Sequence, residues 1–129
     1  MREETLEELE EVLRELRMEI RDGTPILVEG RRDREALLSL GIEGRIVHLN
    51  RNGSLLERLE GLGGYERVVV LTDFDREGEE LALRCSKYLR LMGVEPLLEP
   101  REKLKKLLRK EVKDVEGMVH LLRFLRERG

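Results

Sequence analysis

Arg67-Val68-Val69-Val70-Leu71-Thr72-Asp73-Phe74-Asp75-Arg76-Glu77-Gly78-Glu79-Glu80 decides the fold. Val68 to Leu71 is an unbroken apolar, β-branched-rich run, which predicts a strand buried on both faces. It ends in two aspartates two residues apart, whose side chains point the same way, roughly 6.5 Å apart, on an extended chain. Two such anions repel by about 4 kcal/mol at a separation of about 4 Å and an effective dielectric of about 20. A bound cation or a substrate counter-charge relieves that cost. Asp73, Asp75 and Glu77 thus form an acidic cluster at the carboxyl end of a central strand, where open α/β sheets place their ligands.

Outward from this stretch, strands and helices alternate. Leu6, Leu9, Leu13, Leu16 and Ile20 make a first helical stripe, ended by Asp22-Gly23-Thr24-Pro25. Ile26 to Val28 is a short strand closing in Glu29-Gly30. Asp33 is placed to cap a helix with Ala36, Leu37 and Leu40 on its apolar face. Ile46 to Leu49 is a second strand, and Ser54 caps a helix carrying Leu55, Leu56, Leu59 and Leu62. After the third strand, Leu81, Ala82, Cys85, Tyr88, Leu89 and Met92 line another helix. Val94 to Leu98 is a fourth strand, which Pro96 confines to an edge. Two more helices follow, with stripes over Leu104–Val112 and Val115–Leu125. The expected fold is α/β: a three-layer, Rossmann-like, mostly parallel sheet of about four strands, with one extra helix before it and two after.

The 129 residues suit one domain, expected as an N-terminal helix over 1–22, a core over 24–100 and C-terminal helices over 101–129. No apolar run approaches the ~18 residues of a membrane span, and the N-terminus lacks a signal-peptide core. A cytoplasmic protein is expected. Cys85 is the only cysteine, so neither a disulfide nor a zinc ribbon can form within the chain. Charged residues make up 41% of the sequence and glutamine is absent, as in thermophile proteins with surface ion-pair networks. The net charge of −3 exerts no global pull on nucleic acid, but Arg101 to Lys113 is mostly basic.

Glu29 follows the first strand as Asp73 follows the third, so the two can meet if those strands are neighbours. Magnesium needs only one or two protein carboxylates plus substrate phosphates. Asp73 and Asp75 supply them, leaving Glu29 for proton transfer at an attacking or leaving oxygen. Gly30 lets backbone or phosphate approach closely. Read alone, Glu29 could equally be a capping or loop carboxylate.

Ile-Leu-Val-Glu29-Gly30-Arg31-Arg32-Asp33, followed by Leu-Thr-Asp73-Phe-Asp75-Arg76-Glu77-Gly78-Glu79, resembles the Toprim domain. That module is shared by type IA and type II topoisomerases, DnaG-type primases, OLD-family nucleases, RecR-type recombination proteins and small 5S-rRNA-maturing ribonucleases. The resemblance covers residues 24–100, and the chain as a whole looks most like the small stand-alone archaeal Toprim proteins. It implies a general acid–base role for Glu29 and Mg²⁺ (or Mn²⁺) at Asp73 and Asp75, with Glu77 as the third acid of the topoisomerase version and Glu29 close to the same ion. Gly30 and Gly78 match the glycines beside these acids. Arg31, Arg32 and Arg76 lie where they could contact phosphate, or else pair with surface glutamates.

The departures bear on function. Phe74 stands where the topoisomerase form usually has proline. No separate domain presents a nucleophilic tyrosine, and Tyr65 and Tyr88 read as structural. One cysteine excludes a primase-type zinc site. The chain is therefore neither a complete topoisomerase nor a complete primase. The expected function is Mg²⁺-dependent phosphodiester cleavage or phosphoryl transfer on RNA or DNA, nuclease-like; the alternative is a non-catalytic metal-binding module for a nucleic-acid or protein partner. Haloacid-dehalogenase-type phosphatases also carry Asp-x-Asp after a strand, but near the N-terminus and with threonine or valine where Glu77 stands.

Overall fold

The computed structural model describes residues 3–108 and 110–128. Four parallel strands, β1 (Ile26–Val28), β2 (Ile46–His48), β3 (Arg67–Leu71) and β4 (Glu95–Leu97), form a sheet in the order β2-β1-β3-β4. Around it lie α1 (Glu3–Arg21), α2 (Arg31–Ser39), α3 (Leu55–Leu59, continued by a 3-10 turn over Glu60–Leu62), α4 (Arg76–Leu91), α5 (Glu99–Leu108) and α6 (Val115–Arg128).

The alternation of side chains along the two central strands divides the interior. Ile26, Val28, Val69 and Leu71 face a core shared with α1, α2, α5 and α6. Leu27, Val68 and Val70 face a second core shared with α3 and α4. Both faces of β1 and β3 are thus covered, which is why these strands are continuously apolar. Pro96 pairs with Val68 in edge strand β4, whose outer side needs no ladder donor.

The strand order fixes where a ligand can bind. The chain steps outward from β1 to β2, then crosses back to β3 and continues to β4. Right-handed connections consequently place α2 on one face and α3 and α4 on the other. The direction reverses between β1 and β3, which pair Val28 with Leu71 at their last residues. A crevice at the carboxyl ends of those two strands is the topological switch point of the sheet.

Two expectations require correction. α2 begins at Arg31, with Gly30 as its N-cap, so Asp33 sits inside the first turn instead of preceding the helix. Its Oδ2 reaches back to accept the Gly30 amide at 3.0 Å. The helix expected through Val112 ends at Leu108, and residues 110–114 form a turn and loop leading into α6. Arg109, within the basic stretch, lies outside the described residues.

Candidate metal centre at the ends of β1 and β3

Because β1 and β3 are adjacent, Glu29 and Asp73 leave the sheet side by side. The Asp73 amide donates to Glu29 Oε2 at 2.7 Å. Asp73 is partly buried, and its Oδ1 is enclosed without a hydrogen-bond partner. Burial pushes the Asp73 carboxyl up to about 9, reinforced by the Glu29 carboxylate as hydrogen-bond partner and like charge, then by Asp33 and Asp114. Burial and a neighbouring like charge disfavour the ionised Asp73 carboxylate, a cost that a proton or a cation relieves.

The Thr-Asp-x-Asp-x-x-Gly string has a local mechanical reason. Asp75 is the N-cap of α4, and its Oδ1 accepts the Gly78 amide at 2.8 Å. The Thr72 hydroxyl donates to the Gly78 carbonyl at 2.7 Å. A Cβ on Gly78 would overlap the Asp73 carbonyl, so only glycine lets the first turn of α4 fold against the strand end. The motif is a closed loop of hydrogen bonds that holds Asp73 against Glu29.

Phe74 has a different task. It is buried against the α6 side of the sheet, and its amide donates to the Lys113 carbonyl at 2.6 Å. Proline, lacking an N–H, could not make this bond. The bond brings the α5–α6 loop to the rim of the site.

Arg101 and Asp114 escaped the sequence reading, and Asp33 was read there only as a helix cap. Arg101 is fully buried, and its guanidinium donates to the Asp73 carbonyl (2.7 Å), the Thr72 carbonyl (3.3 Å), Glu79 (2.7 Å) and Glu102 (3.0 Å). Asp33 is also buried; besides the Gly30 amide it accepts the Glu116 amide at 2.9 Å, joining the first turns of α2 and α6. Burial raises its carboxyl above the usual range. Asp114, in the loop before α6, adds negative charge near Asp73. A sequence signal existed for two of them: Arg101 stands in register with Leu104 and Leu108, and Asp33 with Leu37 and Leu40. Charges on apolar stripes need internal partners.

The remaining expected site residues lie around this centre. Glu77 is exposed on the first turn of α4 and makes no hydrogen bond or ion pair with Glu29 or Asp73 among the described residues. Arg31 lies 3.4 Å from Glu35, and Arg76 3.9 Å from Glu80, each on the surface, so both have carboxylate neighbours. Arg32 is exposed at the start of α2. Gly30 contacts Asp33 through its amide. Among the described residues, no three His, Cys, Asp or Glu side chains converge in a ready-made metal cage. A divalent ion would have as candidate donors the Glu29–Asp73 pair, with its orphaned oxygen, and the Asp75 oxygen not engaged by Gly78. Cys85 is buried in the second core, and burial pushes its thiol up to about 12, which leaves it unreactive.

Comparison with known proteins agrees with this arrangement. The family model describing the Toprim domain matches residues 24–115. The chain belongs to the Toprim domain family. The match runs past the sheet into the α5–α6 loop that carries Lys113 and Asp114. The UPF0292 protein of Methanosarcina acetivorans is 38% identical over 125 residues, covering 95% of this chain and 85% of its own length. That of Methanosarcina barkeri is 44% identical over 116 residues, covering 88% and 79%. A solved structure of a protein from Aquifex aeolicus superposes with a TM-score of 0.69 at 28% identity, over 83% of this chain and 94% of that one. Toprim membership supports a metal-dependent role connected with nucleic acid. No helix among the described residues is long and apolar enough to cross a membrane.

Proposed function

We propose that this Toprim protein is a Mg²⁺- or Mn²⁺-dependent enzyme that cleaves or transfers phosphodiesters in RNA or DNA. One observation carries the reading: Asp73, its carboxyl held far above the normal range against Glu29, keeps an enclosed oxygen without a partner. An acid in that condition is relieved by a proton or by a divalent cation, and its free oxygen is open to the cation. Asp73 and Asp75 would hold the ion, with Glu77 and Glu29 as further ligands from the same rim. When bound, the ion would supply Lewis-acid stabilisation to the phosphoryl oxygens.

The protein's own contribution is positioning and proton handling. Glu29 Oε2 is engaged by the Asp73 amide, which leaves Oε1 to take or give a proton at the attacking or leaving oxygen. Arg101 pins the Asp73 backbone, and the Thr72–Gly78 bond fixes the loop from the other side.

The test is a panel of structured RNA and DNA substrates with Mg²⁺ or Mn²⁺. Wild type should cleave, Glu29→Gln should be slower by about 10²–10⁴-fold, and Asp73→Asn should be inactive. Equal activity in wild type and Asp73→Asn would remove these residues from the mechanism. The exposure of Glu77 on the first turn of α4 favours a second reading: a module that binds metal and a nucleic-acid or protein partner without turnover. Metal uptake without cleavage of any substrate would select it.

A further inference from the structure

Part of the basic stretch after residue 100 is neutralised at close range. Arg101 pairs with Glu79 and Glu102, Lys103 with Glu15 and Glu99, and Lys105 with Glu79. A different group of cations is left uncompensated. Arg45, Arg51 and Arg58 line a groove of about 250 Å³ between edge strand β2 and the α3 turn, floored by Gly61 and Leu62, and no carboxylate lines it. Among the described residues none of the three guanidiniums forms an ion pair.

Neutral groups hold each of them in place. Arg58 donates to the Leu49 carbonyl at 2.6 Å and the Ser54 carbonyl at 3.3 Å. Arg51 donates to the Arg58 carbonyl at 2.6 Å. Arg45 lies over the Tyr65 ring, 5.6 Å from its centroid, and its Nη2 occupies space that a side chain at position 61 would crowd. Carbonyls and a ring orient a guanidinium without neutralising it, and each guanidinium has five donors, most of them still free. Arg51 follows β2 at the same rim as Glu29 and Asp73, with β2 roughly 10 Å from β3 by strand spacing.

We infer that this arginine groove along β2 binds the phosphate backbone of a nucleic-acid strand and leads it toward the carboxylates at the ends of β1 and β3. In a chain of net charge −3, three fixed and unpaired guanidiniums in one groove form a local anion site that composition conceals. Arginine suits it because its fork matches phosphate oxygens. The identity of the ligand rests on the proposed action on nucleic acid; the existence of an anion groove does not.

The test measures binding of labelled single-stranded and duplex RNA in chelator over about 50–200 mM salt. The variants are Arg45→Glu/Arg51→Glu, with Arg58 left intact because it braces the loop, and Arg14→Glu, exposed on α1 across the sheet, as a control. Measuring in chelator separates the groove from the metal site; cleavage with Mn²⁺ is assayed separately. The double variant should bind at least tenfold more weakly, with a slope of log K against log salt shallower by roughly 1.5, the loss of two phosphate contacts. Arg14→Glu should bind as wild type does, and inorganic phosphate should compete only weakly. Comparable weakening by Arg14→Glu would mean diffuse charge attraction and overturn the inference. So would unchanged binding by the double variant, no binding of RNA by wild type, or inorganic phosphate displacing RNA at equal concentration. Weakened binding of the double variant in chelator, with no cleavage by wild type in Mn²⁺, would support the groove and overturn only the proposed enzyme.

Discussion

The Asp73 amide and the Glu29 carboxylate are joined at 2.7 Å across a sequence separation of 44 residues. The contact exists because β3 lies beside β1, and it places two acids in one another's field. Most of what distinguishes this site follows from that enforced proximity.

Stability without metal should fall as pH rises. Folding lifts the Asp73 carboxyl from 3.8 to about 9. Across that interval the folded chain holds a proton that the unfolded chain has released, so its contribution is full below the unfolded value and lost as pH climbs through the folded one. Asp33, raised by burial, acts in the same sense. Glu79 acts oppositely: Lys105 and Arg101 lower its pKa, so its contribution is lost as pH falls through the acid range. Thermal melts in chelator should therefore show a maximum at mildly acidic pH and a decline toward pH 9, and saturating Mg²⁺ should flatten the decline. Stability rising steadily to pH 9 in chelator would contradict the assignment.

Gly78→Ala should destabilise the fold by about 1–3 kcal/mol, because the new methyl meets a carbonyl that Arg101 holds in place. Denaturant melts measure the loss. Metal affinity should fall with it, since the displaced backbone carries the Asp73 carboxylate.

Arg101→Ala should cost about 3–5 kcal/mol, since it leaves two backbone carbonyls and Glu79 without their buried cation. Arg101→Lys should recover part of this, because one ammonium cannot reach all four acceptors. A melt unchanged in Arg101→Ala would show that the guanidinium is dispensable.

Asp33→Ala should loosen α6. It strips the acceptor from the Gly30 and Glu116 amides, at about 1–3 kcal/mol for a buried donor left unmade. Hydrogen exchange at the Glu116 amide should accelerate more than exchange within β1 or β3.

Much of this was legible in the chain. Val68–Leu71 announced a doubly covered strand and Pro96 an edge, because each follows from local chemistry. Strand order was not legible: Glu29 could meet Asp73 only if β1 and β3 were neighbours, and adjacency is decided by how helices cover the sheet. The end of α5 was misplaced because Leu107, Leu108 and Val112 keep helical spacing while the Phe74–Lys113 bond draws the following loop toward the site. The sequence reading takes Arg101 only as the start of a basic stretch and Asp33 only as a helix cap, although each sits on an apolar stripe. The positive groove depends on which arginines find carboxylates in three dimensions, which no count of charges conveys.

Calorimetric titration of Mn²⁺ into wild type and Asp73→Asn, repeated in buffers of different ionisation heat, tests the central claim most directly. Wild type should take up the ion and release a proton, the one held by Asp73. Asp73→Asn should show no uptake while melting at a higher temperature than metal-free wild type. Equal uptake by both proteins, or uptake by wild type without proton release, would contradict the account.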